Sequence, residues 1–126
     1  MNLTQRDSCP QFITKDTSII REIMAPANSN VVRQSLAEAT VMPQKSTVAH
    51  SHPNTEEIYY ILSGRGIMAI EDEQFRVVPG DAVGICAGRR HQIYNHGEQP
   101  LVFLCCCVPA YSDEDTEACE PLISVI

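Results

Sequence analysis

Residues 50–66 read HSHPNTEEIYYILSGRG, and this stretch carries the pattern that decides the fold. His50 and His52 are two residues apart, so a strand would place both imidazoles on the same face. Glu57 comes five residues after His52, and on a continuous strand it would point to the opposite face. Pro53 interrupts the strand, so the alternation of inward and outward side chains can start again after it. We therefore expect Glu57 to rejoin the two histidines at the start of the hydrophobic strand that follows.

A second unit, residues 80–95, reads GDAVGICAGRRHQIYN and places His91 at the start of another strand. Three neutral imidazoles and one carboxylate form a donor set that suits a first-row divalent metal. In octahedral geometry, four protein ligands leave two positions open for water or substrate. The sequence therefore predicts a metal centre whose ligands are His50, His52, Glu57 and His91.

Turn residues recur at short intervals through the middle of the chain and separate segments rich in β-branched and aromatic residues. Such spacing is typical of an all-β sandwich or closed barrel. The predicted strands are residues 58–62, 67–70, 75–78, 82–86, 91–94 and 101–108. Residues 31–41 are interpreted as one or two further strands, and residues 18–23 as a strand that pairs at an edge.

The two units resemble the paired motifs of the cupin superfamily, G-x5-H-x-H-x3,4-E-x6-G and G-x5-P-x-G-x2-H-x3-N. The matching positions are His50, His52, Glu57, Gly64, Gly80, Gly88, His91 and Asn95. Gln44 replaces the opening glycine and Cys86 replaces the proline, and neither departure affects a metal ligand. The resemblance implies a double-stranded β-helix (jelly-roll) barrel of cupin type with the metal inside, in a family whose small members are commonly dimers.

One domain is expected, in three parts. Residues 1–40 form N-terminal strands that pack on the barrel, residues 41–110 form the core barrel, and residues 111–126 form an acidic C-terminal tail. Residues 112–117, which read SDEDTE, are expected to be a solvated loop or tail, whereas the apolar residues 122–126 are expected to dock on the protein at a place the sequence does not specify. Tyr111 is expected in that tail rather than folded back over the barrel mouth.

Strand alternation identifies the first candidates for substrate contact. Tyr59 should share the inward face of Glu57, where its hydroxyl could act on substrate as acid or base, or simply belong to a core aromatic. Gln44 is a candidate substrate-binding residue because the same alternation places it on the face of His50. Gln34 is another candidate, if its strand lines the barrel.

Several nearby residues have a structural interpretation instead. Glu56 competes with Glu57, because the motif allows either spacing, but Glu57 gives the six-residue spacing to Gly64 and Glu56 should point outward. His96 is expected at the surface of a turn, and Asn95 is expected to be a turn or hydrogen-bonding residue.

The composition and the sequence pattern limit the partners of the protein and the cellular compartment in which we expect it. Nine basic residues against sixteen acidic ones give a formal net charge of −7, which does not suit a nucleic-acid partner. The longest apolar run, residues 101–108, is far shorter than the roughly 20 residues of a membrane helix. No signal peptide is recognised at the N-terminus, so a cytoplasmic location is expected. The six cysteines form neither a disulfide framework nor a zinc knuckle and are expected to be small buried hydrophobes.

The metal site allows several functions. The first hypothesis is a metal-dependent isomerase or lyase acting on a small polar metabolite, with the metal as Lewis acid; short cupins also resemble the barrel of type II mannose-6-phosphate isomerases. The alternatives are a dioxygenase and a non-catalytic barrel that binds a small molecule. One divalent ion per chain is expected (Zn, Mn, Fe, Ni or Cu). A homodimer is expected because outward-facing Tyr60 and Leu62 need cover.

Overall fold

The computed structural model describes residues 2–124, which fold almost entirely into β-structure. Short 3₁₀ turns occur at Arg6–Ser8 and Asp113–Asp115, and none of the described helical segments is long and apolar enough to cross a membrane. The strands are β1 (Gln11–Ile13), β2 (Ile19–Met24), β3 (Ser35–Val41), β4 (His50–Ser51), β5 (Glu56–Ser63), β6 (Gly66–Ile70), β7 (Glu73–Val77), β8 (Ala82–Ile85), β9 (His91–Tyr94), β10 (Leu101–Val108) and β11 (Glu117–Ala118).

The strands form two antiparallel sheets. The first has the order β1-β2-β3-β10-β5-β8, and the second has the order β11-β4-β9-β6-β7. Ile61 and Phe103 of the first sheet belong to the same buried cluster as Met68 and Ile93 of the second, so the two inner faces share one core. The all-β architecture expected from the turn spacing, and the jelly roll implied by the resemblance, are confirmed.

The inner and outer faces of β5 alternate as predicted. Glu57, Tyr59 and Ile61 are buried, at 5%, 2% and 0% exposure. The residues between them are exposed, and these are Glu56, Ile58, Tyr60 and Leu62. Because side chains on a strand alternate between faces, one register places a carboxylate, a phenol and an aliphatic side chain in the interior.

Gly64 forms the turn between β5 and β6 with a φ of +81°. A Cβ atom there would lie 2.5 Å from the carbonyl oxygen of Pro100 and 2.8 Å from Cα of Leu101. The turn therefore needs glycine both for its backbone conformation and for its close approach to the start of β10. Gln44, which stands at the motif's opening glycine, also has a positive φ, +65°.

Both ends of the chain pack on the barrel. Strands β1 to β3 extend the first sheet. The prediction that residues 112–117 are solvated is wrong in part, because β11 pairs with β4 and Thr116 is 3% exposed, and Ile123 farther along is also 3% exposed. Backbone pairing and an apolar anchor hold this segment on the barrel, while the acidic side chains of Asp113 and Glu114 remain exposed. Residues 125 and 126 of the predicted tail lie outside the described residues.

Candidate metal centre

Three histidines converge in the interior of the barrel. His50 on β4 pairs directly with His91 on β9, and His52 follows β4 on the same face. One ring nitrogen from each imidazole lies within 4.8 Å of the others, and the three residues are only 1–3% exposed. The two-residue spacing and the cross-strand pair together produce this group, as the sequence predicted.

Backbone and side-chain acceptors orient all three rings in the same way. Nδ1 of His50 lies 2.7 Å from the carbonyl oxygen of Val48, and Nδ1 of His91 lies 3.1 Å from that of Arg89. Nδ1 of His52 lies 3.2 Å from the Asp115 carbonyl oxygen and 3.1 Å from Oγ1 of Thr116. A carbonyl oxygen only accepts, so each Nδ1 carries the proton and each Nε2 presents a lone pair inward, as metal-ligating histidines do.

Glu57 lies beside two of these nitrogens. Its Oε1 is 3.4 Å from Nε2 of His52 and 3.3 Å from Nε2 of His91. Glu57 Oε1 and His91 Nε2 are buried without a hydrogen-bond partner among the described residues. Buried polar atoms are normally satisfied, so a carboxylate oxygen and inward lone pairs left open at these distances fit a bound cation.

The pKa values in the group move in different directions. Burial lowers the pKa of His50, and the neighbouring His91 lowers it further. Burial also disfavours charge on His52, but the Glu57 carboxylate outweighs it and raises the pKa of that imidazole. Burial alone would raise the pKa of Glu57, yet His52 and His91 hold it well below its usual range. Glu57 is therefore ionised and available as an anionic ligand.

His50, His52 and Glu57 line a cavity of about 40 Å³. Aromatic rings form much of its wall, and they belong to Phe12, Tyr59, Phe103 and Tyr111. Three carboxylates also line it, those of Asp16, Glu22 and Glu57, whereas no Lys or Arg within residues 2–124 does. The cavity is consequently acidic and aromatic.

Tyr59 lies inside, as its alternation with Glu57 predicted. It is 2% exposed, and its ring packs on Phe103 with 4.5 Å between the ring centroids. Burial raises the pKa of Tyr59 well above its usual value, and the Glu57 carboxylate raises it further. The phenol therefore stays protonated and suits hydrogen-bond donation rather than proton abstraction.

The two glutamines predicted to bind substrate do not reach this cavity. Gln44 is exposed in a turn, where it accepts a hydrogen bond from the Tyr94 hydroxyl at 3.0 Å and donates one to the Gly97 carbonyl oxygen at 3.1 Å. The alternation argument fails there because residues 42–49 do not form a continuous strand. Gln34 is also exposed and comes one residue before β3 begins.

Other residues were predicted to lie outside the site. Glu56 is exposed as expected, and His96 is half-buried in the turn after β9, apart from the three grouped histidines. Asn95 is fully buried and donates to the carbonyl oxygens of Val41 and Gln99, which confirms its hydrogen-bonding role.

The prediction that the cysteines are buried holds only in part. Cys9, Cys105 and Cys107 are buried, but Cys86 and Cys106 are exposed. The exposure of Cys106 follows from strand alternation, since its neighbours on β10 take the inward positions.

Sequence reasoning missed three residues at the centre. Asp16, in the turn between β1 and β2, has Oδ2 3.6 Å from Nε2 of His50. The Cys107 thiol donates to Oε2 of Glu57 at 3.3 Å, and Thr116 supports His52 from the C-terminal segment. Alternation on β10 could have placed Cys107 inside, but no local pattern indicates that Asp16 or Thr116 reaches the histidines.

Comparisons with known proteins agree with this geometry. A family model described as "Cupin domain" matches residues 37–107, which is more than half of the chain. An uncharacterised protein of Methanocaldococcus jannaschii is 49% identical over 117 residues, covering 93% of this chain and 94% of that protein.

Two solved structures share the fold. The polyketide cyclase RemF of Streptomyces resistomycificus has a TM-score of 0.81 at 21% identity, covering 96% of this chain and 87% of that one. Streptomyces PAC13, solved with uridine, has a TM-score of 0.77 at 12% identity, covering 95% and 92%. At these identities the likeness concerns the fold alone, whereas the family match concerns the sequence itself. The chain belongs to the cupin family.

Proposed function

We propose that this cupin is a divalent-metal-dependent enzyme of the isomerase or lyase type that acts on a small polar metabolite. The observation that carries the proposal is the convergence of three buried imidazoles, with the unpartnered Oε1 of Glu57 3.4 Å and 3.3 Å from the Nε2 atoms of His52 and His91. His50, His52, His91 and Glu57 would hold the ion. When bound, it would supply Lewis acidity toward a carbonyl, hydroxyl or carboxylate oxygen of the substrate.

The cavity wall narrows the substrate class. A phosphorylated or otherwise strongly anionic metabolite would need cationic contacts, and the cavity is lined by three carboxylates without Lys or Arg among residues 2–124. Aromatic walls and the protonated Tyr59 hydroxyl suit a neutral molecule with a flat ring or enol and several oxygens. Two proteins of the same fold, a polyketide cyclase and a protein solved with uridine, are consistent with such a ligand.

Metal content tests the proposal first. Protein purified without a histidine tag should contain about one divalent ion per chain by elemental mass spectrometry, because four ligands complete a single site. Iron or copper together with oxygen consumption would favour the dioxygenase alternative. Tight ligand binding without turnover would favour the binding barrel. No ion, even after refolding with divalent metals, would contradict a metal-dependent function.

A homodimer is part of the same proposal. The outer face of the first sheet exposes Ile58, Tyr60 and Leu62 at 48%, 44% and 42%, and Tyr60 pairs with Leu104 on β10. A flat apolar face of this kind can pack against its own copy across a two-fold axis.

We expect a solution mass of twice the 14.0 kDa chain mass by light scattering. Ile58→Asp should shift the protein to the monomer, because a charge would be buried at the centre of the interface. Gln74→Asp, an equally charged change on exposed β7 of the other sheet, should leave the dimer intact. A wild-type mass near that of one chain would contradict the dimer.

A cytoplasmic location also remains a proposal. All six cysteines carry free thiols in the structure, including the exposed Cys86 and Cys106. Exposed thiols persist in a reducing compartment, where disulfides are rare.

A further inference from the structure

The turn between β1 and β2 brings Asp16 to the mouth of the metal centre. We propose that Oδ2 of Asp16 is a fifth protein ligand of the metal, in addition to the three histidines and Glu57. This inference rests on the metal centre proposed above, and it assigns a role to a residue outside both sequence motifs.

The two carboxylate oxygens of Asp16 have different surroundings. Oδ1 accepts hydrogen bonds from the Thr14 hydroxyl at 2.6 Å, the Ser18 hydroxyl at 2.6 Å and the Ser18 backbone N–H at 2.9 Å. Oδ2 faces His50 instead, 3.6 Å from Nε2. Hydrogen bonds within the turn thus occupy Oδ1, whereas Oδ2 is directed at Nε2 of His50.

The contact between Oδ2 of Asp16 and Nε2 of His50 joins two atoms that could both bind one cation. Nδ1 of His50 donates to the carbonyl oxygen of Val48, so Nε2 of the neutral ring is an acceptor. Two acceptor atoms facing each other repel unless a cation lies between them. Two atoms that bind one cation are roughly 3–4 Å apart, and the 3.6 Å between Oδ2 of Asp16 and Nε2 of His50 fits that separation.

The turn is held firmly on the barrel. The carbonyl oxygen of Asp16 accepts the backbone N–H of Val48 at 2.8 Å, and the carbonyl oxygen of Val48 in turn orients His50. Thr17, the next residue, has a φ of +75°, a conformation that is strained for a β-branched residue. Strain that the surrounding structure maintains beside a ligand set is consistent with a turn shaped to deliver Asp16.

A second carboxylate changes what the centre can do. Glu57 and Asp16 together would neutralise a divalent ion, and oxygen donors favour harder ions such as Mn²⁺. A fifth protein ligand would also leave fewer positions on the ion for water or substrate.

Asp16→Asn tests the ligand without dismantling the turn. The asparagine side chain keeps one carbonyl oxygen for the Ser18 and Thr14 donors and replaces Oδ2 by an amide that cannot ligate. We expect Mn²⁺ affinity, measured by electron paramagnetic resonance of the free ion, to fall by roughly 10–100-fold. Water-proton relaxivity of bound Mn²⁺ should rise about twofold, because a second water enters the vacated position.

Two control variants separate ligation from charge and from turn stability. Glu22→Gln removes one negative charge from the same cavity wall and should change affinity by less than about twofold. Ser18→Ala removes a donor to Oδ1 but keeps Oδ2, so relaxivity should stay at the wild-type value.

The outcomes are distinct. The first outcome is that the wild-type protein binds Mn²⁺, that Asp16→Asn binds it with the same affinity as Glu22→Gln, and that the bound ion has the wild-type relaxivity. In that case Asp16 is not a ligand, and the centre has four protein ligands. If the wild-type protein binds no divalent ion at all, the proposed function fails and this inference fails with it. A metal-free melting temperature close to wild type shows that Asp16→Asn is folded, and the relaxivity of its bound Mn²⁺ decides the role in any case.

Discussion

Replacing His50 and His91 together by alanine should abolish metal binding. The two residues are cross-strand partners and supply two of the three inward nitrogens. Loss of a residue that merely supports a ligand costs roughly 10–100-fold in affinity, so loss of two ligands should exceed about 100-fold. Elemental analysis of the purified variant and calorimetric titration of the metal-free protein measure this directly.

His96→Ala is the matched control for that variant. His96 is the fourth histidine of the chain and lies in the turn after β9, outside the group. The His96→Ala variant should retain about one ion per chain and the wild-type affinity for it. Equal metal content in His96→Ala and in the double variant would show that the ion binds elsewhere. Circular dichroism of both proteins establishes that the barrel is intact.

Gly64→Ala should lower the free energy of unfolding by about 3 kcal/mol or more. A residue other than glycine at a φ of +81° costs about 1–2 kcal/mol from its backbone conformation alone. The added methyl group would also lie 2.5 Å and 2.8 Å from backbone atoms of Pro100 and Leu101. Backbone atoms at the start of a central strand cannot yield as a flexible side chain would, so β10 must shift.

Gly80→Ala separates the cost of the backbone conformation from the cost of the steric clash. Gly80 has a φ of +93°, but no heavy atom lies within 4 Å of a Cβ placed there. It should therefore lose only the conformational part, about 1–2 kcal/mol. Urea denaturation of the metal-free variants measures both losses. Equal losses for the two glycines would show that the close approach at Gly64 contributes nothing.

Much of the fold and the core of the candidate site follow from local rules. Strands β9 and β10 have the predicted bounds, because each is a short segment between clear turn residues. The grouping of the three histidines followed from a two-residue spacing and from the second motif. The inward direction of Glu57 followed from the break at Pro53 and the regular strand after it.

What could not be predicted depends on contacts between distant segments. Gln44 was misplaced because alternation was applied to residues 42–49, which turn rather than extend. Asp16 and Thr116 lie near opposite ends of the chain, and each is held beside the histidines by hydrogen bonds made only in the folded barrel. The acidic composition of residues 112–117 indicated solvent exposure, but one backbone pairing and a buried threonine decide where the segment lies.

The dependence of His52 on the C-terminal segment sets an order of events in protein synthesis. The atoms that orient its ring belong to Asp115 and Thr116, more than 60 residues later in the chain. While the ribosome still holds that segment, a nascent chain can contain all three histidines and Glu57 and yet lack the contacts that direct one imidazole inward. The ring of His52 is therefore oriented only after the segment that contains Asp115 and Thr116 has emerged and packed against the barrel.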